Sequence, residues 1–124
     1  MADRTGTPPK LGMILLWILT VATSLLLLLA GATKFTASAT WIELFEGWSY
    51  PAWFSYVVGA VEVGGAMVLV IPRYATYAAV VLMLIMAGAI FTLLTNPGEM
   101  GPAPAIFNFI ALAIIAYARR GATT

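Results

Sequence analysis

Four long apolar runs, broken by short polar or proline–glycine stretches, set the pattern of this chain. They cover about 11–34, 53–71, 74–94 and 103–118. Crossing a bilayer as a helix takes roughly 20 apolar residues. The first three runs reach that length. The fourth falls short, and at 1.5 Å per residue it rises only about 24 Å, so it is expected to stand nearly upright or to thin the bilayer. The pattern predicts an all-α fold, an integral membrane four-helix bundle. The flanks 1–10 and 121–124 read as tails.

The segment "TASATWIELFEGWSYP" between the first two runs is too apolar for a plain loop. Trp41, Leu44, Phe45 and Trp48 recur at helical spacing, while Glu43 and Glu46 fall elsewhere. Thr40 followed by Glu43 fits a capping box, and Gly47 suits a helix end. The prediction is a short amphipathic interfacial helix, serving as lid or as anchor. At the next turn, Pro72 lacks an amide proton and disfavours helix in the residue before it, so the second run ends there in a tight hairpin.

Charge then orients the bundle. Arg4 and Lys10 precede the first run, Arg73 lies in the second connection, and Arg119 and Arg120 follow the last run. Of basic residues, the first connection holds only Lys34 and the third holds none. Basic residues favour the cytoplasmic side, which places N and C termini inside. Trp48, Tyr50 and Trp53 at one end, and Tyr74, Tyr77 and Tyr117 at the other, read as aromatic belts. A signal peptide is the rival reading of the first run, with "ASA" at 37–39 as a cleavage-like site. Its apolar stretch exceeds the usual length, so a retained helix is expected.

Composition agrees and excludes several chemistries. The chain is 62% hydrophobic and only 9% charged, against about a quarter charged in soluble domains. The mean hydropathy is +0.98. The net charge of +1 offers no basic run for nucleic acid. With no cysteine and no histidine, disulfides, thiol chemistry and histidine-ligated metal or haem are not available within the chain. No catalytic constellation can be assembled, and no enzymatic activity is expected.

One acid breaks the second run. Glu62 lies at its centre, in "VVGAVEVGGAMV". A charge at mid-bilayer costs a few kcal/mol or more. The group avoids that cost by taking up a proton or by finding a partner, and either way it should face other helices. Gly59, Gly65 and Ala66 lie three or four residues away, on its face, where small residues admit a neighbouring backbone. Ala60 and Gly64 form a second small ridge nearly opposite, which predicts packing on two sides and a central place for this helix. By depth, the groups within reach are Lys34 with Thr33 before it, Thr92 and Asn108, and Met83 and Met86 offer a pliable wall. The candidate site is Glu62, Lys34, Asn108 and Thr92. Three readings remain open: a structural latch, a ligand, quinone head-group or proton-relay site, and a contact with another subunit.

Further residues carry a resemblance. "GATKF" at 31–35, "FEGWSYPAWF" at 45–54, "VVGAVEVGGAMVLVIPR" at 57–73, "MLIMAGAIFTLL" at 83–94 and "AYARR" at 116–120 occur in one order and spacing. The series resembles the DoxX-like family of small four-helix membrane proteins over roughly residues 12–120. The matched positions are Lys34, Gly59, Glu62, Gly65, Pro72 and Arg73. Members of that family include a subunit associated with a thiosulfate:quinone oxidoreductase, proteins of membrane oxidative-stress complexes and a distant chaperone of receptor assembly. The resemblance implies a multi-pass protein of the bacterial inner (plasma) membrane. Its partners would be the lipid bilayer and other subunits of a larger, electron-transfer-type membrane complex. It implies no cofactor held by the chain itself, with quinone or bound lipid as the candidate ligand. A small transporter ranks below these, for want of an inverted repeat or a broken helix pair. Members often carry histidine after the threonine near the end of the third helix. Here Leu93 follows Thr92, which removes that group from any role carried over.

Overall fold

A computed structural model describes residues 9–96, 98 and 101–123. Arg4 and most of the expected N-terminal tail lie outside the described residues. The described chain is all-helical, with α1 Pro9–Thr36, α2 Ser38–Gly47, α3 Phe54–Leu69, α4 Ala75–Thr95 and α5 Ala103–Thr123. Three of these, α1, α4 and α5, are long and apolar enough to cross a membrane, and α3 is a shorter apolar helix. α1 lies against α3, and α4 against α5. The two pairs join through α3–α4 and α1–α5, while α2 rests on α1 and α3.

The core runs along this four-way seam, through Leu27 of α1, Ala66 and Leu69 of α3, Ala79 and Leu82 of α4, and Leu112 and Ile115 of α5. The outside is as apolar as the inside. Leu29, Leu84 and Phe91 are 63%, 70% and 67% exposed, and a helix hydrophobic on every face requires an apolar surround. The surfaces therefore suit lipid rather than water.

The lengths of two helices are reversed from the sequence expectation. The last helix is not the short one: α5 has 21 residues. Apolarity stops near 118, but Arg119 and Arg120 are good helix formers, and the helix runs on to Thr123, through most of the expected 121–124 tail. Arg119 is buried, with its guanidinium 4.6 Å from the Trp17 ring centre and Nη1 3.8 Å from Met13 Sδ of α1. The short helix is α3, with 16 residues, a rise of about 24 Å. Pro72 acts backwards through Ile71, and the helical pattern gives way at Val70 to a turn closed by Ile71 N–H donating to the Val68 carbonyl at 2.9 Å.

Two further expectations change. α3 touches α1, α2 and α4, but not through its second ridge, because Ala60 and Gly64 are exposed and a Cβ built on Gly64 meets nothing within 4 Å. The capping box does not form either. α2 starts two residues before Thr40, after a single hinge residue, Ala37, and no side chain caps it. Its other end is a Schellman turn. Tyr50 N–H donates to the Phe45 carbonyl at 2.9 Å and Ser49 N–H to that of Glu46 at 3.0 Å. The left-handed residue is Ser49, at φ 70°, not Gly47. This turn sets Tyr50 against Phe45, with ring centres 5.9 Å apart.

Candidate functional site

Two glycines determine where the site forms. Gly31 of α1 faces Gly59 of α3 so closely that a Cβ on Gly31 would stand 2.8 Å from the Gly59 carbonyl oxygen. A Cβ on Gly59 would stand 2.9 Å from Lys34 Cβ. The two helix backbones touch here, as small residues permit. The helices are antiparallel, so Lys34 and Glu62 lie one turn to either side of this contact, and the long lysine stem folds back along α1 past Ala30 to reach Glu62.

Their contact is an ion pair, Nζ to Oε1 at 2.7 Å, with side chains only 6% and 3% exposed. Oε1 nevertheless has no aligned hydrogen bond, so the attraction is chiefly charge against charge at short range. Lys34 also donates to the Ala30 carbonyl at 3.3 Å, and its ammonium lies 4.1 Å from the Trp41 ring centre. Trp41 in turn donates from Nε1 to Thr33 Oγ1 at 3.1 Å. The lysine thereby ties α1 to α3 through a carboxylate and to α2 through an aromatic face.

Beside this pair lies a cavity of about 360 Å³. Glu62, Lys34, Asn108 and Thr92, the four candidate residues, all line it. They come from four different helices, so no single stretch of sequence contains the site. Met86, itself in the core, joins the wall as expected, whereas Met83 is half-buried against the core and does not line the cavity. Thr33 is exposed and does not reach the cavity. Gly59 and Ala66 are buried on the Glu62 face, and Gly65 abuts Leu82 of α4.

α2 forms the roof. Trp41, Phe45 and Trp48 all line the cavity, joined by Tyr50 and Phe54. Phe45 is the hub, buried and 5.4 Å from the Trp48 ring and 6.0 Å from that of Phe54. Trp48 and Tyr50 are therefore turned toward the cavity, while Trp53 is 61% exposed. At the side, Leu84 and Gly88 of α4 line the cavity and are exposed. The size and the apolar wall with a few convergent polar groups match small-molecule sites in general.

Tyr50 is the site residue that sequence reasoning missed. Its hydroxyl and Thr92 Oγ1 share a hydrogen bond of 2.6 Å, which fastens the roof to α4. Tyr50→Phe is expected to lower stability by about 1 kcal/mol, the ordinary worth of one such bond. Thr92→Val should cost a similar amount, and the double variant no more than either alone. Denaturant titration in detergent reads this, and strictly additive losses would show that the bond contributes nothing.

Among the described residues no group of histidine, cysteine or carboxylate side chains is placed to hold a metal. Neither the comparison with curated proteins nor that with solved structures gives a match. The model of the DoxX-like family matches residues 18–118, a stretch that includes every residue of the cavity wall. The chain, a membrane protein by its apolar helices, belongs to the DoxX-like family.

Proposed function

We propose that this protein spans the bacterial inner membrane four times, with both termini cytoplasmic, and holds a membrane-soluble, ring-bearing molecule in the outward half of its bundle. A quinone or the head group of a lipid is the class of ligand. The observation that carries this is the cavity itself: four polar residues from four helices converge on one chamber that is otherwise apolar and aromatic. A ring would lie among Phe45, Tyr50 and Phe54, and its tail would leave past Leu84. The ion pair of Lys34 and Glu62 is then both the latch between α1 and α3 and the polar end of the chamber.

The test is to purify the protein in mild detergent and extract what travels with it. A quinone or ring-bearing lipid at near one equivalent is expected. Gly88→Leu should remove it, because Gly88 lines the cavity and a Cβ there meets nothing within 4 Å. That change adds bulk to the chamber without striking the backbone. Equal ligand content in this variant would reject the site.

A second reading has its own observation. The exposed ridge of Ala60 and Gly64 on α3 would admit a neighbouring helix closely, as an accessory or scaffold subunit of a larger, electron-transfer-type membrane complex requires. Affinity purification checks it. Loss of co-purifying subunits in Gly64→Leu supports this role, and recovery as a bare monomer or homo-oligomer counts against it.

A further inference from the structure

The hydrogen-bonding balance of the chamber says which form of a ring-bearing ligand it prefers. An ammonium has three N–H donors and no acceptor. In Lys34 the ammonium donates to the Ala30 carbonyl, lies over the Trp41 ring and sits 2.7 Å from the Glu62 carboxylate. Its charge is already matched, and it is enclosed on three sides. The carboxylate is the opposite case, since two ionised oxygens offer about four acceptor positions. Lys34 is the only polar partner of Glu62 among the described residues.

The remaining polar groups add little donor strength. Tyr50 and Thr92 engage each other at 2.6 Å. Asn108 supplies an amide with no hydrogen-bond partner among the described residues, its Oδ1 enclosed. A guest that carries only carbonyl oxygens would set acceptor against acceptor at Glu62. A guest hydroxyl can donate a hydrogen bond to the carboxylate and also accept one from an N–H such as that of Asn108, whereas a carbonyl can only accept. A charged amine would bring a second cation against Lys34 in an apolar chamber, which is costly.

Resting on the ligand-cavity reading, we propose that the site selects the hydroxyl-bearing, reduced form of a ring-bearing membrane redox molecule over its carbonyl-bearing, oxidised form. Glu62 is the acceptor that makes the distinction. Hydrogen bonds to ionised groups exceed neutral ones in strength, and the expected preference is about ten- to hundredfold in Kd.

The experiment uses the full chain in detergent, titrated with a decyl-tailed benzoquinone and, under reductant, with its hydroquinone. Trp41 and Trp48 line the cavity, so quenching of tryptophan fluorescence reads occupancy. A redox-free pair runs alongside: a decyl phenol and its methyl ether, which differ in the donor proton. The inference is supported if hydroquinone and phenol each bind at least tenfold tighter than quinone and ether. It is overturned if the members of each pair bind alike or in the reverse order, in which case the cavity still binds rings and the parent reading survives. Binding of none of the four rejects both. In Glu62→Gln the amide supplies an N–H to a carbonyl guest, so the preference should shrink or invert. The phenol–ether pair in the unaltered protein decides the matter even where that variant fails to fold.

Discussion

Lys34→Met is expected to destabilise the protein more than any other single change at the site, by about 3–5 kcal/mol. Removing the ammonium leaves Glu62, 3% exposed, with no cation inside an apolar bundle. The loss is then the cost of an unpaired buried charge rather than the worth of one contact. α2 also loses the cation beneath Trp41, so the roof should open in the same variant. The companion experiment is the double variant Lys34→Met with Glu62→Met. Replacing both members of a buried pair by apolar side chains is often neutral or stabilising, so most of the lost stability should return. Unfolding in detergent with a denaturant series measures all three proteins. If the double variant is as unstable as the sum of the singles, the pair is not acting as a unit. If the single change costs less than about 1 kcal/mol, typical of an exposed pair, the two charges are not sealed from water.

That pair was legible from sequence because depth and face follow from simple counting. Glu62 sits at the middle of an apolar run, Gly59 lies one turn away, and Lys34 ends the preceding run. The lysine stem is long enough to reach inward along α1 from the end of that run to the depth of Glu62. Thr92 and Asn108 were reachable by the same count, one turn from the end of α4 and one turn into α5. Their shared cavity was not legible, since a chamber is what several helices leave between them, and no single helix encodes it. Tyr50 escaped for a related reason. An aromatic beside a proline at a helix entry reads as an interfacial anchor, and only the left-handed Ser49 turns it inward onto Phe45 and Thr92.

The errors at helix ends have physical causes as well. Hydropathy marks where lipid-compatible side chains stop, while the helix stops where its backbone hydrogen bonds do. In α5 the two differ by a full turn, because Arg119 places its charge against Trp17 and continues the ladder. In α3 they differ the other way, because Pro72 bars helix before the apolar run has ended. The second ridge on α3 is left uncovered by the helices of this chain, since Gly and Ala are also ordinary on an outward-facing surface. Small size permits close approach, and only a partner makes it occur.

Gly31→Val carries the second large effect, because the seam it breaks holds the ion pair in place. An added Cβ would lie 2.8 Å from the Gly59 carbonyl oxygen, 2.8 Å from Val63 Cγ2 and 3.0 Å from Glu62 Cβ. One of the two nearest is backbone, which no rotamer change can move away. α1 and α3 must therefore separate, and overpacking of this kind costs roughly 1–3 kcal/mol. Separation at Gly31 also draws Lys34, on the next turn of α1, away from Glu62. The variant should then show two losses at once: lower stability, and a smaller gain from retaining Lys34 when Lys34→Met is made in the same background. Gly64→Val is the control on the same pair of helices, since its Cβ meets open space and the change should cost less than about 0.5 kcal/mol. Equal unfolding midpoints for the two valine variants would mean that the Gly31–Gly59 contact does not set the distance between α1 and α3. A large loss in Gly31→Val with undiminished coupling between Lys34 and Glu62 would separate the seam from the pair, leaving the lysine stem to span the gap unaided.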